Sequence, residues 1–106
     1  MILYAEDRNI IVDIVMLYLK KENFSVTHFF DGEGAWNEFK ANPNKYSLLI
    51  TDNDMALYIS RQGNAIHHTH VMHTASPNFI ELEHIDYIVR NKDVEVLIEI
   101  VKKALG

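Results

Sequence analysis

The chain contains no cysteine. That excludes a disulfide framework, a thiolate zinc site and a thiol nucleophile. It also lacks a basic block, and its net charge is −5. A direct nucleic-acid binder needs a positive stripe, so none is expected here. No apolar run is long enough to span a membrane, and the first residues lack the charged and apolar regions of a signal peptide. These absences lead to the expectation of a soluble, cytoplasmic protein with no membrane partner. No repeat, low-complexity stretch or internal linker interrupts the sequence. Its 106 residues, 48% of them apolar, suit one domain spanning 1–106 with a packed core.

What is present is an alternation of apolar runs and helical patterns. Residues 2–5, 26–30, 48–51, 70–74 and 87–89 read as strands. Residues 9–22, 34–41 and 94–105 read as helices. The first is expected to be capped by Asp7, Arg8 or Asn9, and the last carries Lys102 and Lys103 where cations suit the helix dipole. Strands alternating with helices imply a parallel sheet covered on both faces, which is why the strands are continuously apolar.

Two of these strands stop abruptly at acids. LLIT runs into Asp52 and Asp54, and ILYA runs into Glu6 and Asp7. Parallel strands end on one edge of the sheet, where such folds bind ligands. Glu6, Asp7, Asp52, Thr74 and Arg90 should therefore meet. Grouped carboxylates repel unless a cation sits among them. Oxygen ligands without His or Cys favour a hard ion such as Mg²⁺. A hydroxyl and a fixed cation beside them would stabilise a transferring phosphoryl group, and an aspartate can itself be the nucleophile. Asp7 and Asp31, each taken alone, read more simply as helix caps or solvated acids.

ILYAED, LLITDNDM, VMHTAS and DYIVRNKD, in this order, resemble the strand ends of a two-component response regulator receiver domain. The resemblance covers nearly the whole chain. It implies a flavodoxin-like, doubly wound, five-stranded parallel sheet of order 2-1-3-4-5. It implies Asp52 as phosphoacceptor, with Mg²⁺ held by Glu6, Asp7, Asp52 and the backbone carbonyl of Asp54. Thr74 and Tyr87 would be the switch residues. A histidine kinase or histidine phosphotransfer protein would be the donor, and a downstream protein the target; a homodimer is a further expectation. Chemistry would extend to self-phosphorylation at most.

The chain departs from the family at several points. The family has lysine where Arg90 stands and proline where Asn91 stands; Lys92 can substitute only if the loop shifts. Arginine's planar head does not replace an ammonium point charge. Ala56 and Ser60 replace an expected proline and glycine, and the helices around the fourth strand are expected to be short. A receiver-like module that binds proteins without phosphorylation is the alternative reading. Asp52-Asn53-Asp54 also resembles the D-x-D pair of small Mg-dependent phosphatases of the haloacid-dehalogenase type, but that family carries the pair on its first strand.

His67, His68, His70 and His73 form a cluster in which His68 and His70 share a strand face. Without a third ligand, exposed loop histidines are the simpler expectation than a metal site. Trp36 is expected in the core. The helix of IIVDIVMLYL and the last helix have apolar arcs wider than one core contact needs. This singles out Ile10, Val12, Val96 and Ile100 for self-association or a partner helix.

Overall fold

The computed structural model describes residues 1–62, 68–75 and 85–106. Five strands form one parallel sheet of order β2-β1-β3-β4-β5. They are β1 (Ile2–Ala5), β2 (Val26–Phe29), β3 (Leu48–Thr51), β4 (Thr69–His73) and β5 (Tyr87–Val89). Four α-helices accompany them among the described residues: α1 (Asn9–Lys21), α2 (Gly32–Ala41), α3 (Asn53–Arg61) and α4 (Val94–Leu105). A short 3-10 turn, Pro43–Lys45, precedes β3. The order expected from the resemblance is the order observed.

Alternation along the central strands divides the core into two layers. Ile2, Tyr4, Leu48 and Ile50 face Val12, Val15 and Leu19 of α1 and Leu97 and Val101 of α4. Leu3, Ala5 and Leu49 face Trp36 and Phe39 of α2 and Met55 and Ile59 of α3. Every residue of β1 and β3 is buried, because both faces of the sheet are covered. Trp36 is a core residue stacked on Phe39, with ring centroids 6.1 Å apart.

The helix ends explain small shifts from the expected boundaries. Asp31 caps α2, accepting a bond of 2.6 Å from the Gly34 amide, so the helix starts at Gly32 rather than Gly34. A Cβ at Gly34 would lie 2.9 Å from that carboxylate oxygen, so the missing side chain makes room for the cap. In α1 the cap position is Arg8, without a side-chain bond. That helix ends through Asn23, left-handed at φ 64°. The Asn23 amide bonds the Lys20 carbonyl and the Phe24 amide the Leu19 carbonyl, a Schellman closure. Helix α3 has nine residues, as short as expected. Of residues 76–85, read as the second shortened helix, 76–84 lie outside the described residues. Among the described residues no helix is long and apolar enough to cross a membrane.

Two expectations need correction. The histidines of β4 are not exposed: His70 and His73 are fully buried. Each fills a place in the packed sheet; His70 Nε2 meets the Thr51 hydroxyl at 2.7 Å. His68 packs edge-on against Phe39, and His67 lies outside the described residues. Of the four apolar residues singled out on the helices, Val12 is core and Ile100 packs partly buried against it. Ile10 and Val96 are exposed.

Candidate functional site

The carboxyl ends of β1, β3 and β4 meet at one cavity of about 220 Å³. Glu6, Asp7, Asp52, Asp54, Thr74 and Lys92 are among its lining residues. The register explains the meeting: Ala5 is level with Thr51, and Thr51 with Met72, so the residues that follow emerge side by side. Carboxylate oxygens of Glu6, Asp7 and Asp52 lie within 4.8 Å of one another.

Asp52 is both a wall of the cavity and the N-cap of α3. Its Oδ1 accepts the Met55 amide at 2.8 Å. Burial pushes its carboxyl up from the ordinary range, against the pull of the Met55 amide and Lys92; Asp7 and Asp54 push the same way as burial. Glu6 is 1% exposed. Its Oε2 accepts the amides of Asp7 and Arg8 at 3.0 and 3.2 Å, and its Oε1 accepts a bond from Lys92. Burial dominates and raises its carboxyl too, with Lys92 pulling it back. His28 of the neighbouring strand fixes the Glu6 carbonyl at 2.8 Å.

Two cationic residues line this cavity, Arg8 and Lys92, and the ammonium that bonds Glu6 is that of Lys92. Arg90, the residue expected there, is exposed and does not line it. The reason is a tight turn. Asn91 and Lys92 both have positive φ, 58° and 49°, and the Asp93 amide bonds the Arg90 carbonyl at 3.2 Å. Two successive left-handed residues define a turn of the I′ kind, in which asparagine is favoured. Proline, with φ near −65°, could not adopt it. The turn swings Lys92 back over the strand ends. Its amide bonds the Thr74 carbonyl and its ammonium the His73 carbonyl, both at 2.9 Å, besides Glu6. This turn is what brings the Lys92 ammonium to the strand ends.

Thr74 is buried at the end of β4, its amide bonded to the Val89 carbonyl. Tyr87 does not line the cavity. It is half-buried at the start of β5, packed against the α1 and α4 layer. It lines a separate cleft with Thr69, Asp86 and Lys103. Asp54, in the first turn of α3, is exposed at the cavity rim.

Sequence reasoning missed two buried partners of this site. His73 lies beneath the turn, its Nε2 3.1 Å from the Asp93 carbonyl. Because a carbonyl only accepts, Nε2 carries the proton in the neutral ring. Burial, with Lys92 nearby, lowers the His73 pKa to about 4. The Thr51–His70 pair lies beside it in the sheet. A histidine between apolar neighbours, as in HVMH, was the available signal.

The fold is matched in known structures. The N-terminal domain of a response regulator/sensory box/GGDEF three-domain protein from Carboxydothermus hydrogenoformans superposes with a TM-score of 0.73 at 24% identity, over 98% of this chain and 92% of that one. The receiver domain of the hybrid histidine kinase CckA gives 0.75 at 20% identity, over 99% and 98%. A chain from the structure of histidine kinase ThkA in complex with response regulator protein TrrA gives 0.76 at 22% identity, over 99% and 97%. The fold is that of response regulator receiver domains. In sequence, the chain is 36% identical over 48 residues to the response regulator GtcR of Aneurinibacillus migulanus. That stretch is 45% of this chain and 20% of the relative's length. No protein-family model matches the chain.

Proposed function

We propose that this chain is a response regulator receiver that accepts a phosphoryl group on Asp52. The observation that carries the reading is one cavity in which Asp52 meets Glu6 and Asp7, with Asp54 at the rim, a hydroxyl-bearing residue and an inward-turned ammonium. The all-oxygen acid group fits a hard divalent ion. Glu6, Asp7, Asp52 and the carbonyl of Asp54 would hold Mg²⁺, which when bound offsets negative charge around the phosphoryl oxygens.

The chain's own residues perform the rest. The Met55 amide holds Oδ1 of Asp52, so attack falls to Oδ2. The P–O bond to Asp52 forms as the P–N bond to the donor's imidazole breaks, and the leaving ring recovers a proton from water. Lys92 serves as the phosphoryl-facing cation in place of Arg90 and reaches it by leaving Glu6. Thr74 turns toward the modified aspartate. The aspartyl phosphate carries roughly −2 where the carboxylate carried −1, and its phosphoryl oxygens offer strong new acceptors that make this movement favourable. A switch through Tyr87 requires its ring to leave the packing it now has at the start of β5. A phosphohistidine protein, either a kinase or a phosphotransfer protein, is the proposed donor. A second protein reads the altered surface. The ThkA–TrrA assembly supports a kinase as partner.

One observation favours the alternative of an unphosphorylated binding module. The Lys92 ammonium is paired with Glu6, one of the three acids that would hold the metal. Fluorine NMR with beryllofluoride and Mg²⁺ separates the two. A receiver gives a bound fluoride signal that Asp52→Asn abolishes. A pseudo-receiver gives none.

A further inference from the structure

We infer that α1 is a self-pairing helix, through which two copies of this chain associate antiparallel about a twofold axis. Helix α1 buries Val12, Val15 and Leu19. At 100° per residue the opposite side carries Ile10, Ile14 and Leu17. These are 75%, 39% and 54% exposed. The helix is thus apolar on the face the fold does not use.

The spacing of that face is specific. Positions 10, 14, 17 and 21 are separated by four, three and four residues, the seam of a coiled coil. Ile10 and Leu17 take d positions; Ile14 and Lys21 take a positions. Asp13 and Lys20 then both fall at g, seven residues apart, and both are exposed. The opposite flank of the helix faces α4, whose Lys102 pairs with Glu22 at 3.5 Å.

These charges select the occupant and its direction. In an antiparallel pair, g positions face g positions, so Asp13 of one copy meets Lys20 of the other twice over. Ile14 packs on Leu17 of the second copy, and Ile10 on the stem of Lys21. The Lys21 ammonium already leans over the Tyr18 ring, 5.6 Å from its centroid, which carries its charge off the seam. A parallel pair would instead stack Lys21 on Lys21 and leave Asp13 opposite Tyr18. One patch complementary to itself closes as a dimer rather than a fibre. Two heptads lie below the size of a standard stable interface, so the dimer is weak and depends on concentration.

The inference does not depend on phosphorylation. Sedimentation equilibrium of the whole chain across a wide concentration range tests it. The wild type should dimerise. Leu17→Glu should weaken association at least about tenfold, the effect of 1.4 kcal/mol. Its thermal melt should stay cooperative, because Leu17 is not core. Val96→Glu, on α4, should leave the dimer intact. Asp13→Lys and Lys20→Asp should each weaken it, and the two together should restore it. A chain that stays monomeric throughout overturns the inference, as does a dimer indifferent to Leu17→Glu. So does a double charge exchange that fails to restore association. A monomer whose ridge amides shift only on adding a histidine kinase dimerisation domain would give this face to a donor instead, and also overturns it.

Discussion

Replacing Lys92 by methionine removes the ammonium and keeps most of the stem. The consequence follows from burial: Glu6 is 1% exposed and the Lys92 side chain 9%. Removing one partner of a buried ion pair leaves the other charge uncompensated, which costs about 3–5 kcal/mol. Two backbone amides still hold Oε2 of Glu6, which favours the lower end. Glu6→Gln removes the same charge from the other side. The double variant should therefore lose less than the sum of the single losses, by about 2 kcal/mol or more. Urea unfolding measures all four proteins, and an unchanged m-value would show that the denatured state is not the cause.

The pH dependence has a definite sign. In Lys92→Met the Glu6 carboxyl is raised further above its unfolded value. A raised carboxyl stabilises below the unfolded pKa, and that contribution is lost as pH rises through the folded pKa. The deficit of the variant should shrink as pH falls toward 5. Mg²⁺ should also restore part of its stability, because a bound cation replaces the lost charge. A loss under about 1 kcal/mol, flat with pH, would refute the reasoning, since that is the range of an exposed pair.

Other outcomes follow from the same geometry. Asn91→Pro should detach Lys92 from Glu6 while Asn91→Gly should not, because only the second permits a positive φ; the Glu6 side-chain resonances distinguish them. His73 must charge on unfolding in acid, its folded pKa lying at about 4 against 6.5. Stability should fall from pH 8 to pH 5, with about 2 kcal/mol due to this ring. His73→Gln should remove that part of the slope in denaturation curves taken at both pH values. Asp31→Ala should cost about 1 kcal/mol by loss of the α2 cap, measured as a lower urea midpoint. Mg²⁺ should shift backbone amides centred on Asp7 and Asp52; changes centred elsewhere would count against the metal reading.

The legible part of this protein was whatever burial writes into the chain. Fully covered strands are continuous apolar runs, so β1 and β3 could be read to the residue. The acids that end them marked the site. Lys92 was harder. Its place depends on two left-handed residues, and a turn between unlike neighbours leaves only Asn91 as a hint. The histidines of β4 misled because their residue type suggests water, while the partners that satisfy them, Thr51 and the Asp93 carbonyl, come from other elements. The α1 ridge was visible as excess apolarity. Which residues were surplus could be told only once Val12 was seen in the core and Ile10 outside it.

Intact-mass spectrometry after incubation with Mg²⁺ and a small-molecule phosphodonor tests the central claim most directly. The wild type should gain the mass of one phosphoryl group, with the adduct lost on mild alkaline treatment, as an acyl phosphate is. Asp52→Asn should gain none, and omitting Mg²⁺ should suppress the wild-type adduct. An unmodified wild type under conditions that label an active receiver, or an adduct that survives in Asp52→Asn, would contradict the assignment of Asp52 as the phosphoryl acceptor.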